Sequence, residues 1–146
     1  MNRSHIPCRV ALGACLLALA GCNRGPEYGE VEGTVTLDGK PLNSVEVVFL
    51  PDPDKGNRGP RAAAYTDERG HYQLFCEKAD RAGAVAGAHR VCVFDLTALS
   101  QTPGKAKPSR LPPVYGDAQA TPFRDVTVRP GTQTLDFNVE GGKKKS

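Results

Sequence analysis

Few side chains in this 146-residue chain could carry acid–base, thiol or metal chemistry. The histidines are His5, His71 and His89. A histidine base needs a nucleophile within hydrogen-bond reach, and a structural zinc ion needs four closely spaced Cys or His ligands. The chain contains no G-x-S-x-G, no H-E-x-x-H and no C-x-x-C. His89 with Tyr115 is the pairing that a small hydrolase would have to use. Asp52-x-Asp54 with Asn57 offers three oxygen ligands in one loop. A calcium loop needs more ligands and a distal Glu, so this segment reads as a solvated loop. No metal and no cofactor is expected, and the residues point away from an enzyme.

Cysteine is the exception. Met1 to Arg9 carries Arg3 and Arg9 and no acid, and Val10 to Ala20 is an apolar run. A charged start followed by a short apolar run is the pattern of an export signal. The run is shorter than the roughly 20 residues that a bilayer core requires. It exits through Leu19-Ala20-Gly21-Cys22, which resembles the lipobox of bacterial lipoproteins. That resemblance implies cleavage between Gly21 and Cys22 and lipid on the Cys22 thiol. Ala18-Leu19-Ala20 also fits an ordinary cleavage site, which would leave the adjacent cysteine unexplained. Each buried CH₂ of an acyl chain contributes about 0.8 kcal/mol, and two or more chains anchor stably. The expected location is the cell envelope, with the protein lipid-anchored to a bacterial membrane at its periplasmic or outer surface. The expected partner there is membrane lipid through Cys22.

The formal charge is +3, and removal of Arg3 and Arg9 with the leader would leave +1. Such balance gives no nucleic-acid footprint. The chain therefore divides into a leader (1–21), a lipidated tether (22–29), a domain (30–140) and a basic tail (141–146). The tail reads as disordered, and its Lys143 to Lys145 could add about 1 kcal/mol each at an anionic surface.

The elements that must position any site are strands. Val31, Gly33, Val35 and Leu37 alternate with Glu32, Thr34 and Thr36, a period of two with one apolar face. Asp38-Gly39 supplies a hairpin turn. Further strands are expected over 45–50, 62–66, 71–76, 88–94, 123–128 and 134–139. Arg129-Pro130-Gly131-Thr132 fits a type II turn between the last two. Seven short strands without a helix predict an all-β fold, a seven-stranded antiparallel β-sandwich of Ig-like architecture. The expected core is Val31, Val35, Leu37, Val47, Phe49, Tyr72, Leu74, Val91, Val93, Val126, Val128, Leu135, Phe137 and Val139. Strand phase puts His89 and Cys76 inward and His71 and Cys92 outward. Cys76 and Cys92 are then expected as free thiols, because a disulfide needs Cβ atoms about 3.5–4.5 Å apart.

Three segments, in order, carry a resemblance. They are Val31 to Leu42 (VEGTVTLDGKPL) with Val45 to Phe49, Thr66 to Leu74 (TDERGHYQL) with Gly87 to Val91, and Pro113 to Asp117 (PVYGD) with Val126 to Val128 and Leu135 to Phe137. Together they resemble small bacterial lipoproteins with a carboxypeptidase regulatory-like, transthyretin-like (prealbumin-like) domain. His89 stands where that pattern usually has an aromatic residue. The resemblance implies a fold and a location, and fold alone does not supply function.

Leu96 to Pro122 is longer than most loops, and long loops tend to be functional. It is the expected interaction loop, with Pro113, Tyr115 and Asp117 as candidate contacts for an envelope protein or glycan. Aromatic residues make up 6% of the chain and Trp is absent, which counts against a sugar-stacking platform. The expected function is a non-catalytic structural or interaction module. The alternatives are a small envelope hydrolase of transthyretin-related type, or a glycan-binding module. Those hydrolases close on Tyr-Arg-Gly-Ser, where this chain has Gly-Lys-Lys-Lys-Ser.

Overall fold

The computed structural model describes residues 25–99, 104 and 107–142. The leader, Gly21, Cys22 and Lys143 to Lys145 lie outside the described residues. Within them the protein is all-β, built from β1 (Tyr28–Leu37), β2 (Lys40–Pro41), β3 (Val45–Pro51), β4 (Ala62–Tyr65), β5 (His71–Gln73) and β6 (Phe75–Cys76), followed by β7 (Arg81–Ala82), β8 (Ala84–Val85), β9 (Gly87–Asp95), β10 (Val126–Val128), β11 (Gly131–Thr134) and β12 (Phe137–Val139). One sheet is centred on β1. The other runs β10-β9-β3-β4-β6-β7.

The pairings are antiparallel except along one edge of β1, where β11 and β12 run parallel to it. The sequence expectation of purely antiparallel pairing is corrected there. Pro130-Gly131, with Gly131 at φ +92°, carries the chain from β10 in one sheet to β11 in the other instead of folding a hairpin. Asp38 and Gly39, both at positive φ, do form the expected tight turn between β1 and β2.

Two expected strands are split, and the short β2, β7 and β8 are additional. The 134–139 segment keeps one register along β1 but breaks at Leu135-Asp136. There the Leu135 carbonyl lies over Gly33, where a Cβ would sit 1.9 Å from its oxygen. Tyr72 donates its hydroxyl to that same carbonyl. Only glycine permits this approach, so the alternation in β1 carries a residue without a side chain at its centre.

The 71–76 segment breaks at Leu74. β5 pairs with β1 and β6 pairs with β4, so the strand leaves one sheet and joins the other. The Leu74 N–H still donates to the Val31 carbonyl. Tyr72, Leu74 and Cys76 remain buried throughout, while Gln73 and Phe75 face out. The first strand also starts earlier than expected, at Tyr28. Tyr28 and Gly29 pair with Val85 and Ala84, and the Arg81 guanidinium lies 4.3 Å from the Tyr28 ring centroid.

The core holds the expected residues, with Leu37, Val126 and Leu135 only half-buried, and adds Leu42, Val45, Leu111 and Tyr115. Its centre is a run of aromatic rings. Tyr115 meets Phe123 at 5.5 Å, Phe123 meets Phe137 at 4.8 Å, and Phe137 meets Phe49 at 5.9 Å. Burying each large apolar side chain contributes about 1.5–3 kcal/mol.

Candidate functional site

The structure separates the side chains that chemistry would need. His71 is exposed on β5 beside Glu32, whereas His89 is fully buried on β9. His89 Nδ1 donates to the Gly87 carbonyl at 3.0 Å, its ring lies 5.8 Å from Phe49, and Nε2 is buried without a partner. Burial holds its pKa below the ordinary 6.5, against a smaller opposing effect of the Gly87 bond. A neutral ring sealed in the core has no access to a substrate.

Asp52 and Asp54 are both taken by the Arg90 guanidinium, with Arg90 Nη2 at 2.9 Å from Asp52. Asn57 donates to the Ala88 carbonyl at 2.8 Å. The oxygens that a calcium ion would want are thus committed to holding this loop on β9. Burial pushes the Asp52 carboxyl up, but the bonds from Arg90 and the Asp54 N–H outweigh it and leave it below its usual range. No group of three potential metal ligands occurs among the described residues.

The expected interaction loop is packed rather than free over its second half. Asp95 accepts from the Arg110 backbone N–H at 2.7 Å and from its guanidinium at 2.7 and 3.0 Å. Arg110 also donates to the Asn43 carbonyl at 2.8 Å. Burial raises the Asp95 pKa, but the bonds from Arg110 and Thr97 prevail and hold it far below the carboxylate range. Thr121 then bonds the Val91 carbonyl, and the Phe123 carbonyl accepts from the Val91 N–H.

This pinning decides the three residues singled out in the loop. Pro113 and Asp117 are exposed, but Tyr115 is only 6% exposed and its hydroxyl accepts from the Glu140 N–H at 2.9 Å. Tyr115 is a bolt between loop and core, not a contact for a partner. His89 and Tyr115 are both buried, and no hydrogen bond joins them. The turn Pro113–Gly116 packs on β9. Cys92, expected to be outward, is on the outer face of its sheet opposite Val48 yet only 1% exposed. Burial, and then the charge of Asp117, raises its thiol pKa. Cys76 and Cys92 are both free.

What the surface does present is an aromatic groove of about 510 Å³. It lies on the outer face of the second sheet, where the 71–76 segment changes sheets. Tyr65 on β4 is 66% exposed and Phe75 on β6 is 44% exposed. Ala63 pairs directly with Phe75, and Tyr65 is two residues farther along β4. The two aromatic positions are therefore diagonal neighbours about 7–8 Å apart, with an alanine between strand neighbours as floor. Glu46, paired with Tyr65, stands at one side.

No family model, characterised protein or solved structure matches this chain.

The groove therefore rests on its own chemistry. Two large rings held in water are costly unless something covers them, and contiguous exposed apolar area marks an interaction surface. Around the rings stand Arg61, Gln73, Glu77 and Lys78. Sequence reading missed Tyr65 and Phe75, although a signal was present. Phe75 is the one aromatic out of phase with the Tyr72-Leu74-Cys76 face, so alternation alone puts it in water. Tyr65 follows three alanines whose pairing is settled only by β3.

Proposed function

We propose that this protein is an exported lipoprotein, cut before Cys22 and held at an envelope membrane by lipid on that cysteine, whose domain binds a partner without catalysing a reaction. We assign the sandwich to the carboxypeptidase regulatory-like, transthyretin-like class, on the order of the three segments that carry that resemblance. The observation that supports a binding role is the exposed pair Tyr65 and Phe75 on a sheet face whose other large apolar side chains are mostly covered. The burial of His89 and Tyr115 supports a non-catalytic reading. Export and lipidation rest on the Met1 to Cys22 pattern.

Two measurements test this. The intact mass of the protein from native membranes should correspond to a chain beginning at Cys22 plus a diacylglyceryl group. A soluble product, or one still beginning at Met1, would overturn the anchoring. Photo-crosslinking in cells from a probe at position 65 should trap an envelope component. Equal trapping by a probe at exposed position 129 would reject the groove as the binding face.

A further inference from the structure

We infer that the Tyr65–Phe75 groove is a carbohydrate site for a neutral oligosaccharide, an inference that rests on the binding-module reading above. The argument starts from the strand edges. β4 is hydrogen-bonded to β3 on one side and to β6 on the other, and β6 is closed by β7. β6 meets β4 only at Ala63–Phe75, so any open backbone edge in the groove is at most one residue long, too short for a peptide to add a strand. Recognition has to come from ring faces and side-chain polar groups.

Those groups suit a sugar. Tyr65 and Phe75 offer two apolar ring faces, carried on strand positions about 7–8 Å apart, onto which the C–H faces of successive sugar rings can stack. Ala63 between them leaves the floor low enough for a ring to settle. The polar side chains are mostly planar and capable of two hydrogen bonds each: Glu46 and Glu77 accept, Arg61 donates, and Gln73 does both. Their spacing around an apolar floor is the arrangement of a small-molecule site, with apolar area for affinity and a few polar groups for orientation. The charges cancel. Glu46 and Glu77 oppose Arg61 and Lys78, so the groove favours neither an anionic nor a cationic ligand. The scarcity of aromatic residues in the chain as a whole does not weaken this, because two of its nine Phe and Tyr residues are presented on one face.

The test uses the full chain in a detergent without a sugar headgroup. Maltohexaose, cellohexaose, xylohexaose and chitohexaose are titrated as neutral probes, with an oligogalacturonate as anionic comparison. Binding is read by saturation-transfer NMR and by tyrosine fluorescence. At least one neutral probe should bind with Kd below about 1 mM. Tyr65→Ala and Phe75→Ala should each weaken it at least about tenfold. Phe75→Leu, which keeps apolar bulk without a ring face, should weaken it as well. These side chains are exposed, so the urea midpoints of the variants should stay near that of the wild type. Three results would overturn the inference: no neutral probe binding more tightly than about 1 mM, binding unchanged in the variants, or preference for the oligogalacturonate. Loss of in-cell crosslinking from a probe at Gln73, an exposed position in the same groove, in the Tyr65→Ala, Phe75→Ala double variant without any sugar binding would overturn the carbohydrate site and leave the binding module standing. Sugar binding by a chain with an unmodified Cys22 would support the site while removing the lipid anchor.

Discussion

His89 should make this domain sensitive to mild acid, and His89→Phe should remove that sensitivity. In the fold its ring is fully buried, with Nδ1 bonded to Gly87 and Nε2 facing no partner. Burial depresses its pKa below the unfolded value of 6.5. The sign follows from proton counts. Above the unfolded pKa neither state holds the extra proton, and stability is at its full value. As pH falls below 6.5 the unfolded chain takes up a proton that the folded ring refuses, so stability drops. While folded His89 stays neutral the loss approaches at most about 1.4 kcal/mol per pH unit below 6.5. Depressed carboxylates such as Asp95 act in a separate window, because their contribution is lost only as pH falls below their unfolded value of 3.8. His71 is common to both proteins and cancels in the difference. Urea unfolding followed by far-ultraviolet circular dichroism at several pH values measures the effect, with equal m-values as the check on two-state behaviour. Any packing cost of the larger phenyl ring shifts the variant's stability equally at every pH. The proton shows only in the slope. Parallel stability curves for wild type and His89→Phe across this range would refute the reasoning, since they would mean that the folded ring accepts its proton as readily as the unfolded chain.

Asp95→Ala leaves the Arg110 guanidinium without its buried partner and should cost on the order of 3 kcal/mol, read as a lower urea midpoint, with faster proteolysis in the 96–122 segment that Arg110 secures. Gly33→Ala sets a Cβ 1.9 Å from the Leu135 oxygen and should cost about 3 kcal/mol or more, whereas Gly39→Asn, at a turn with open space around it, should change the unfolding free energy by only about 0.5 kcal/mol. Cys76 and Cys92 should resist a maleimide in the native protein and react when urea is added, because both are buried and the Cys92 thiol pKa is raised. Rapid native labelling of Cys92 would show that the turn at Pro113–Gly116 does not cover it.

Period-two alternation sets which side chains face in and which face out along the first strand and the 71–76 and 88–94 segments. Val31 and Val35 alternate with Glu32, Thr34 and Thr36, while Tyr72, Leu74, Val91 and Val93 fall on every second residue of their segments, and backbone pleating converts that period directly into two faces. The sequence also marked His89 as inward, His71 as outward and the turn at Asp38-Gly39. What it left open was which face meets which neighbour. Cys92 is outward by phase yet buried, because the 111–121 segment, distant in sequence, packs on β9. Tyr115 reads as a loop contact yet lies in the core, because Asp95 and Arg110 draw that loop down and the Glu140 N–H donates to its hydroxyl. Strand 71–76 shows one apolar face, but only the tertiary structure revealed that it changes sheets at Leu74 and leaves Phe75 beside Tyr65. Alternation is a local property of two successive residues, whereas cover, crossing and juxtaposition are set by contacts between residues far apart in the chain.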